Sequence, residues 1–177
     1  SQNLSNYSML FPSDTIYRIN LAWINTIDEL SQILNKHKNQ KIFLDLPIGR
    51  TKPPNSRYRV EDIIPIIKSH QNIFYFAISN VNSKNDVTKI QKLLPKNIIL
   101  VPKIETTIGI ENIKEITDCL TDQKKIVMLD HDDLYRSIEK RSDSVSKFKN
   151  SINTLIEFCK HSQVVLLRTR GVIFADD

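Results

Sequence analysis

A chain of 177 residues that is 40% hydrophobic and 25% charged is sized for one domain with a substantial core, which excludes a disordered segment. Its net charge of +5 is spread out, with Lys and Arg interleaved among Asp and Glu, which reads first as a solvated surface, then as a preference for anionic small molecules, and last as nucleic-acid binding. No apolar run approaches a membrane span, and Cys119 and Cys159 belong to no zinc or redox motif, so no membrane partner, reduced thiols and a cytoplasmic setting are expected.

In chain order, Ser1 to Asn6 reads as a polar arm and Tyr7 to Phe11 as a short strand closed by a turn at Pro12-Ser13-Asp14. Ile16 to Trp23 is the next expected strand, with Arg18, Asn20 and Ala22 on one side of its alternation. Asn25 or Thr26 can cap a helix whose apolar stripe is Ile27, Leu30, Ile33 and Leu34. Ile42 to Leu46 is a compact strand carrying Asp45, followed by a turn at Pro47 to Arg50 and a loop from Thr51 to Arg59 that holds Pro53 and Pro54. Val60 to Ser69 has helical spacing despite Pro65, Ile73 to Ser79 is a strand, and a helix after Ser83 turns Val87, Ile90, Leu93 and Leu94 inward.

The most informative stretch is Ile98 to Asn112. An apolar run, Ile98 to Ile104, ends in Lys103 and Glu105 and turns through Gly109 into a helix reaching Leu120. A buried ammonium and carboxylate at the carboxyl end of an interior strand are costly unless they face a ligand, a metal or each other. Ile126 to Asp130 is a further strand with His131-Asp132-Asp133 at its end, where alternation would turn some of the carboxylates away from any common site. Tyr135 to Ser144 reads as a charged connection, Val145 to His161 as a long amphipathic helix and Val164 to Arg168 as a last strand. About six alternations of strand and helix predict a parallel sheet, closed into a barrel or wound open, with its ligand site at the carboxyl ends of the strands.

These strand ends, taken together, resemble the catalytic barrel of pyruvate kinase and, more distantly, the citrate lyase β-subunit and HpcH-type aldolases of the phosphoenolpyruvate/pyruvate superfamily. The resemblance spans about Tyr17 to Thr169. It rests on Arg18-Ile19-Asn20-Leu21, Leu44-Asp45-Leu46-Pro47, Ser79 with Ser83 and Asp86-Val87, Lys103-Ile104-Glu105 with Gly109 and Asn112, Asp133-Leu134, and Arg168-Thr169, all in the family's order.

The resemblance implies an incomplete or minimal TIM-type barrel with Glu105 and Asp133 as ligands to Mg2+ or Mn2+. It implies Lys103 facing an enolate, Arg18 contacting a phosphate or carboxylate, and Thr169 near the proton-transfer face. Amides around Asp132 and Asp133 would hold a substrate carboxylate, and Asn20, Asp45, Ser79 and Arg50 fall at matching substrate-binding positions. Arg50 would stand in for a monovalent cation.

The chain departs from the family at its short Arg50 to Val60 loop, where the kinases carry a nucleotide lid, in ending at Asp177 before an eighth strand, and in its abbreviated first strand. His131-Asp132 also stands where the family has Arg-Gly. The expected function is therefore Mg2+-dependent chemistry on a small 2-oxo acid or enol phosphate through a stabilised enolate, as phosphoryl transfer or as lyase or aldolase cleavage. The alternative is a barrel without turnover that binds a metabolite or a protein. Open sheet edges in either case predict a homodimer or a partner chain.

Overall fold

The computed structural model describes residues 14–49, 54, 57–121, 124–141 and 145–169. The expected strand at Tyr7 to Phe11 lies outside them, as do Arg50 and most of the proline-bearing loop. Six strands, β1 (Ile16–Asn20), β2 (Lys41–Leu46), β3 (Ile73–Ile78), β4 (Ile99–Ile104), β5 (Ile126–Leu129) and β6 (Val165–Arg168), form one sheet in sequential order. Every adjacent pair is parallel.

Helices α1 (Ile27–Lys36), α2 (Val60–Ser69), α3 (Lys84–Gln91), α4 (Thr107–Glu111), α5 (Ile113–Asp118), α6 (His131–Lys140) and α7 (Val145–His161) fill the crossovers. Sequential order with crossovers of one hand puts all the helices on one face, and the sheet curls away from them into a half barrel. Among the described residues β1 and β6 do not pair; the α/β class and parallel strands expected from the sequence are present as a curled half barrel, of which the incomplete TIM-type barrel is a finer reading.

Strand alternation divides the core in two. Ile19, Leu44, Phe76, Leu100 and Leu129 point to the helices and pack with Leu30, Ile63, Val87, Ile116, Leu134 and Leu155. Phe43, Ala77, Val101, Ile126 and Met128 point into the curl and make a separate apolar floor. Two or four residues further along the same alternation stand Asp45, Ser79, Lys103, Glu105 and Asp130, with Arg18 beside Phe43 in register. The inner face is thus apolar below and charged at its carboxyl edge.

Local chemistry explains the ends of the elements. Thr26, rather than Asn25, caps α1 by accepting from the Glu29 amide at 3.1 Å. β1 stops at Asn20, because the Asn20 side chain accepts from the Ala22 amide and draws Leu21–Trp23 into a 3-10 turn where the alternation alone predicts continued strand. The single helix expected after Glu105 is broken at Asn112, whose side-chain amide donates to the Asn82 carbonyl at 2.8 Å. Leu93, expected inward, is exposed, and Pro65 lies inside α2 on its exposed side.

The largest correction concerns residues 131–140, of which the part from Tyr135 onward reads from sequence as a charged connection. They form α6, with Asp130 as N-cap and Leu134 and Ile138 buried one turn apart.

Gly109 sits within α4 against the loop after β3. A Cβ there would lie 2.5 Å from the Val81 carbonyl oxygen, a backbone atom that cannot swing aside. Gly109→Ala is expected to cost about 2 kcal/mol and to lower Tm by roughly 4–8 °C in thermal melts, despite the better helix propensity of alanine.

Candidate functional site

A pocket of about 450 Å3 opens at the carboxyl edge of the sheet. Its base is a buried charge network. Lys103 Nζ lies 2.8 Å from Glu105 Oε1 and 3.5 Å from Asp45 Oδ1, and donates to Ser79 Oγ at 2.9 Å. Asp45 is fully buried and is held from its other side by Arg18, whose Nε donates at 3.1 Å and whose Nη2 makes a second, close bond. The Lys103 and Glu105 pair predicted from sequence thus faces both itself and a cavity.

Position along each strand accounts for these contacts. Asn20 pairs in register with Asp45 and Asp45 with Ala77, so Arg18, Asp45 and Ser79 come from three neighbouring strands on one face. Glu105 is fixed by a further contact, a bond from the Asn80 amide to Oε2 at 2.8 Å. Asn80 adopts the left-handed conformation, φ 56, which asparagine tolerates, and its side chain donates to the Ile48 carbonyl at 2.7 Å. The Ser79-Asn80 step after an apolar strand is the only sequence signal of that role.

Burial by itself pulls the Lys103 pKa down, but Asp45 and Glu105 outweigh it, and the ammonium is held above its ordinary 10.5. Burial pushes Glu105 above the usual carboxylate range, and Lys103 and the Asn80 amide pull it back. Arg18, Lys103, Asp45 and Glu105 balance as two cations and two anions. The further charge in the pocket comes from Asp130 at the end of β5 and from α6.

There the structure adds what the sequence reading missed. Because 130 and 133 are an N-cap and the third residue of a helix, they lie on one side of it, and the Asp133 amide donates to Asp130 Oδ1 at 3.4 Å. One carboxylate oxygen from each of Glu105, Asp130 and Asp133 falls within 4.8 Å of the others. Strand alternation would have separated two of them. Oxygen donors from three carboxylates, one buried with an oxygen that has only the Lys103 ion pair, suit a hard divalent cation.

The remaining sequence candidates sort clearly. Arg18, Asn20, Ser79, Lys103, Glu105, Asp132 and Asp133 line the pocket, and Asp45 lies beneath it. Thr169 does not line it. Its hydroxyl accepts from the His131 amide at 3.3 Å and donates to the Leu129 carbonyl at 3.4 Å, tying β6 to the start of α6. The Asp133 amide, expected to hold a substrate carboxylate, is occupied by the helix cap. Among residues not anticipated, Asp130, Asn80, Arg136, Lys140 and Arg141 line the same pocket.

No family model matches the chain, and no curated protein matches it. Among solved structures it aligns with RipC from Yersinia pestis, with a TM-score of 0.64 and 14% identity over 91% of this chain and 72% of that one. At that identity the likeness is one of fold, a half barrel of six parallel strands. The pyruvate kinase-like assignment is corrected on this finding: no family model supports it, and the neighbour is not a pyruvate kinase or a phosphoenolpyruvate/pyruvate barrel. The physical reason is that Lys-Ile-Glu, Leu-Asp-Leu and Asp-Leu are what apolar strands ending in charge, followed by capped helices, produce in any parallel α/β sheet. A sequence rich in Ile, Lys and Asn produces them readily.

Lys103→Met tests the network. Removing the ammonium leaves Glu105 buried with only the Asn80 amide, and chemical denaturation should show a loss of about 3 kcal/mol at neutral pH. The sign of the pH dependence follows from Glu105. With its folded pKa raised, neutral Glu105 is tolerated below the unfolded value, and stability falls as pH rises through the folded one. The variant should therefore approach the native chain in stability near pH 4 and diverge from it by pH 8.

Proposed function

We propose that the pocket binds a divalent cation, Mg2+ or Mn2+, together with a small 2-oxo acid or its enol form, and that it stabilises the enolate. The observation that carries this reading is the convergence of Glu105, Asp130 and Asp133 beside the buried ammonium of Lys103. Glu105, Asp130 and Asp133 would hold the cation. Once bound, it would supply Lewis-acid polarisation of the acid's oxygens.

The chain's own residues supply the rest. Lys103 is fixed by Asp45, Glu105 and Ser79, so its positive charge is already oriented where negative charge would develop and needs no reorganisation. Arg18 keeps 27% of its side chain exposed while anchored by Asp45, and so presents unused guanidinium donors to a substrate carboxylate. Asn80 and Ser79 hold Glu105 and Lys103 in place rather than touching the reacting atoms. The apolar floor of Phe43, Ala77 and Val101 excludes water from below.

Calorimetric titration of oxalate, a planar mimic of an enolate, should show binding only with Mg2+ or Mn2+ present. Glu105→Ala and Asp130→Ala should each weaken it by at least about tenfold. Turnover is tested by following the methyl protons of pyruvate in D2O by NMR. Metal-dependent exchange that Lys103→Met abolishes is the expected result. Oxalate binding without exchange would reduce the site to a binding module, and no oxalate binding with metal would refute the reading.

A further inference from the structure

One wall of the pocket is a face of α6 that runs on from the acidic triad. Asp133, Arg136, Lys140 and the capping residue Arg141 recur at helical spacing along it, and all four line the cavity. Arg136 and Lys140 therefore stand roughly 4.5 and 10.5 Å along the helix axis from Asp133. Among the described residues neither makes an ion pair, and Arg141 has only a bond to Thr107 Oγ1 at 2.8 Å.

Two like charges four residues apart on one helix repel, so the pair costs stability unless an anion lies between them. Basic residues in a last turn complement the helix dipole, but that benefit is independent of which face they occupy. Here they occupy the face that lines the pocket.

We infer that the ligand carries a second, distal anionic group of phosphate type, held by Arg136 and Lys140 while its oxo-acid end meets the acidic triad. This rests on the reading of the triad as a cation site and specifies the substrate class for it. A dianionic group that can accept from a planar guanidinium and an ammonium together suits this spacing better than a single carboxylate. Arg141, tethered to Thr107, closes the far end of the wall.

The test compares three ligands on the native chain with Mg2+: 2-oxobutanoate, which has no distal anion, 2-oxoglutarate, which has a carboxylate, and 2-oxo-4-phosphonobutanoate, which has a phosphonate. Oxalate is the control for the metal end. The phosphonate is expected to bind at least about tenfold tighter than 2-oxobutanoate, with 2-oxoglutarate between them. The exposed double substitution R136A/K140A is expected to erase that advantage while far-UV circular dichroism stays unchanged.

Equal affinity for all three acids, with oxalate still binding, would overturn the distal site and leave the cation site standing. An advantage that survives R136A/K140A would overturn its assignment to α6. Carboxylate binding as tightly as phosphonate would overturn the phosphate preference. Absence of oxalate binding would overturn the cation site and the distal site together.

Discussion

The constraint on which the rest of this structure depends is the burial of Lys103. An ammonium at 3% exposure is tolerable only if its charge is answered nearby, and it is answered twice, by Glu105 at 2.8 Å and Asp45 at 3.5 Å. Asp45, fully buried, in turn requires Arg18. Strands β1, β2 and β4 are thereby bound to a single register, since a slip of one residue would turn each of these side chains into the helix-facing core. The same network leaves one Glu105 oxygen with nothing but the ammonium, and the carboxylate lies beside those of Asp130 and Asp133.

The curl of the sheet makes that network useful. In a flat sheet Arg18 and Asp130 would stand four strand spacings apart, roughly 19 Å. Curling brings the carboxyl ends of β1 to β5 around one cavity and packs Phe43, Ala77, Val101, Ile126 and Met128 into a floor beneath it. Phe43 and Tyr75 stack with ring centroids 5.8 Å apart, filling part of the space that a closed barrel would fill from opposite strands. Among the described residues β1 and β6 each pair on one side only.

The misreading of residues 131–140 shows how a local error propagates to function. With Tyr135 to Ser144 read as a connection, the run His131-Asp132-Asp133 offers Asp133 as a ligand only through a resemblance. Taken as a helix capped by Asp130, it places Asp130 and Asp133 on one side and continues that side into Arg136 and Lys140. The cue was present in sequence: Asp130 is a strong N-cap residue, acids follow in the first turn, and Leu134 and Ile138 repeat at four. The run of charged residues from Arg136 to Arg141 obscured it, because a helix with one narrow apolar stripe and charge elsewhere scores poorly on hydrophobicity. The family resemblance failed for a different reason. Short motifs at strand ends record the demands of the fold, and those demands are shared by sheets of unrelated chemistry.

By itself the sequence determined the alternation of six strands with helices and the placement of Arg18, Asp45, Ser79, Lys103 and Glu105 at strand ends. These follow from periodicity and from the cost of burying charge, both of which act over a few residues. Only the tertiary structure decided that the six described strands curl into a half barrel, that Asn80 holds Glu105, that Asp130 joins the acids, and that Thr169 serves the backbone instead of the pocket. Those contacts join residues 25 to 40 positions apart, and they exist because register and curvature bring distant strand ends within a hydrogen bond of each other, a geometry that no local pattern encodes.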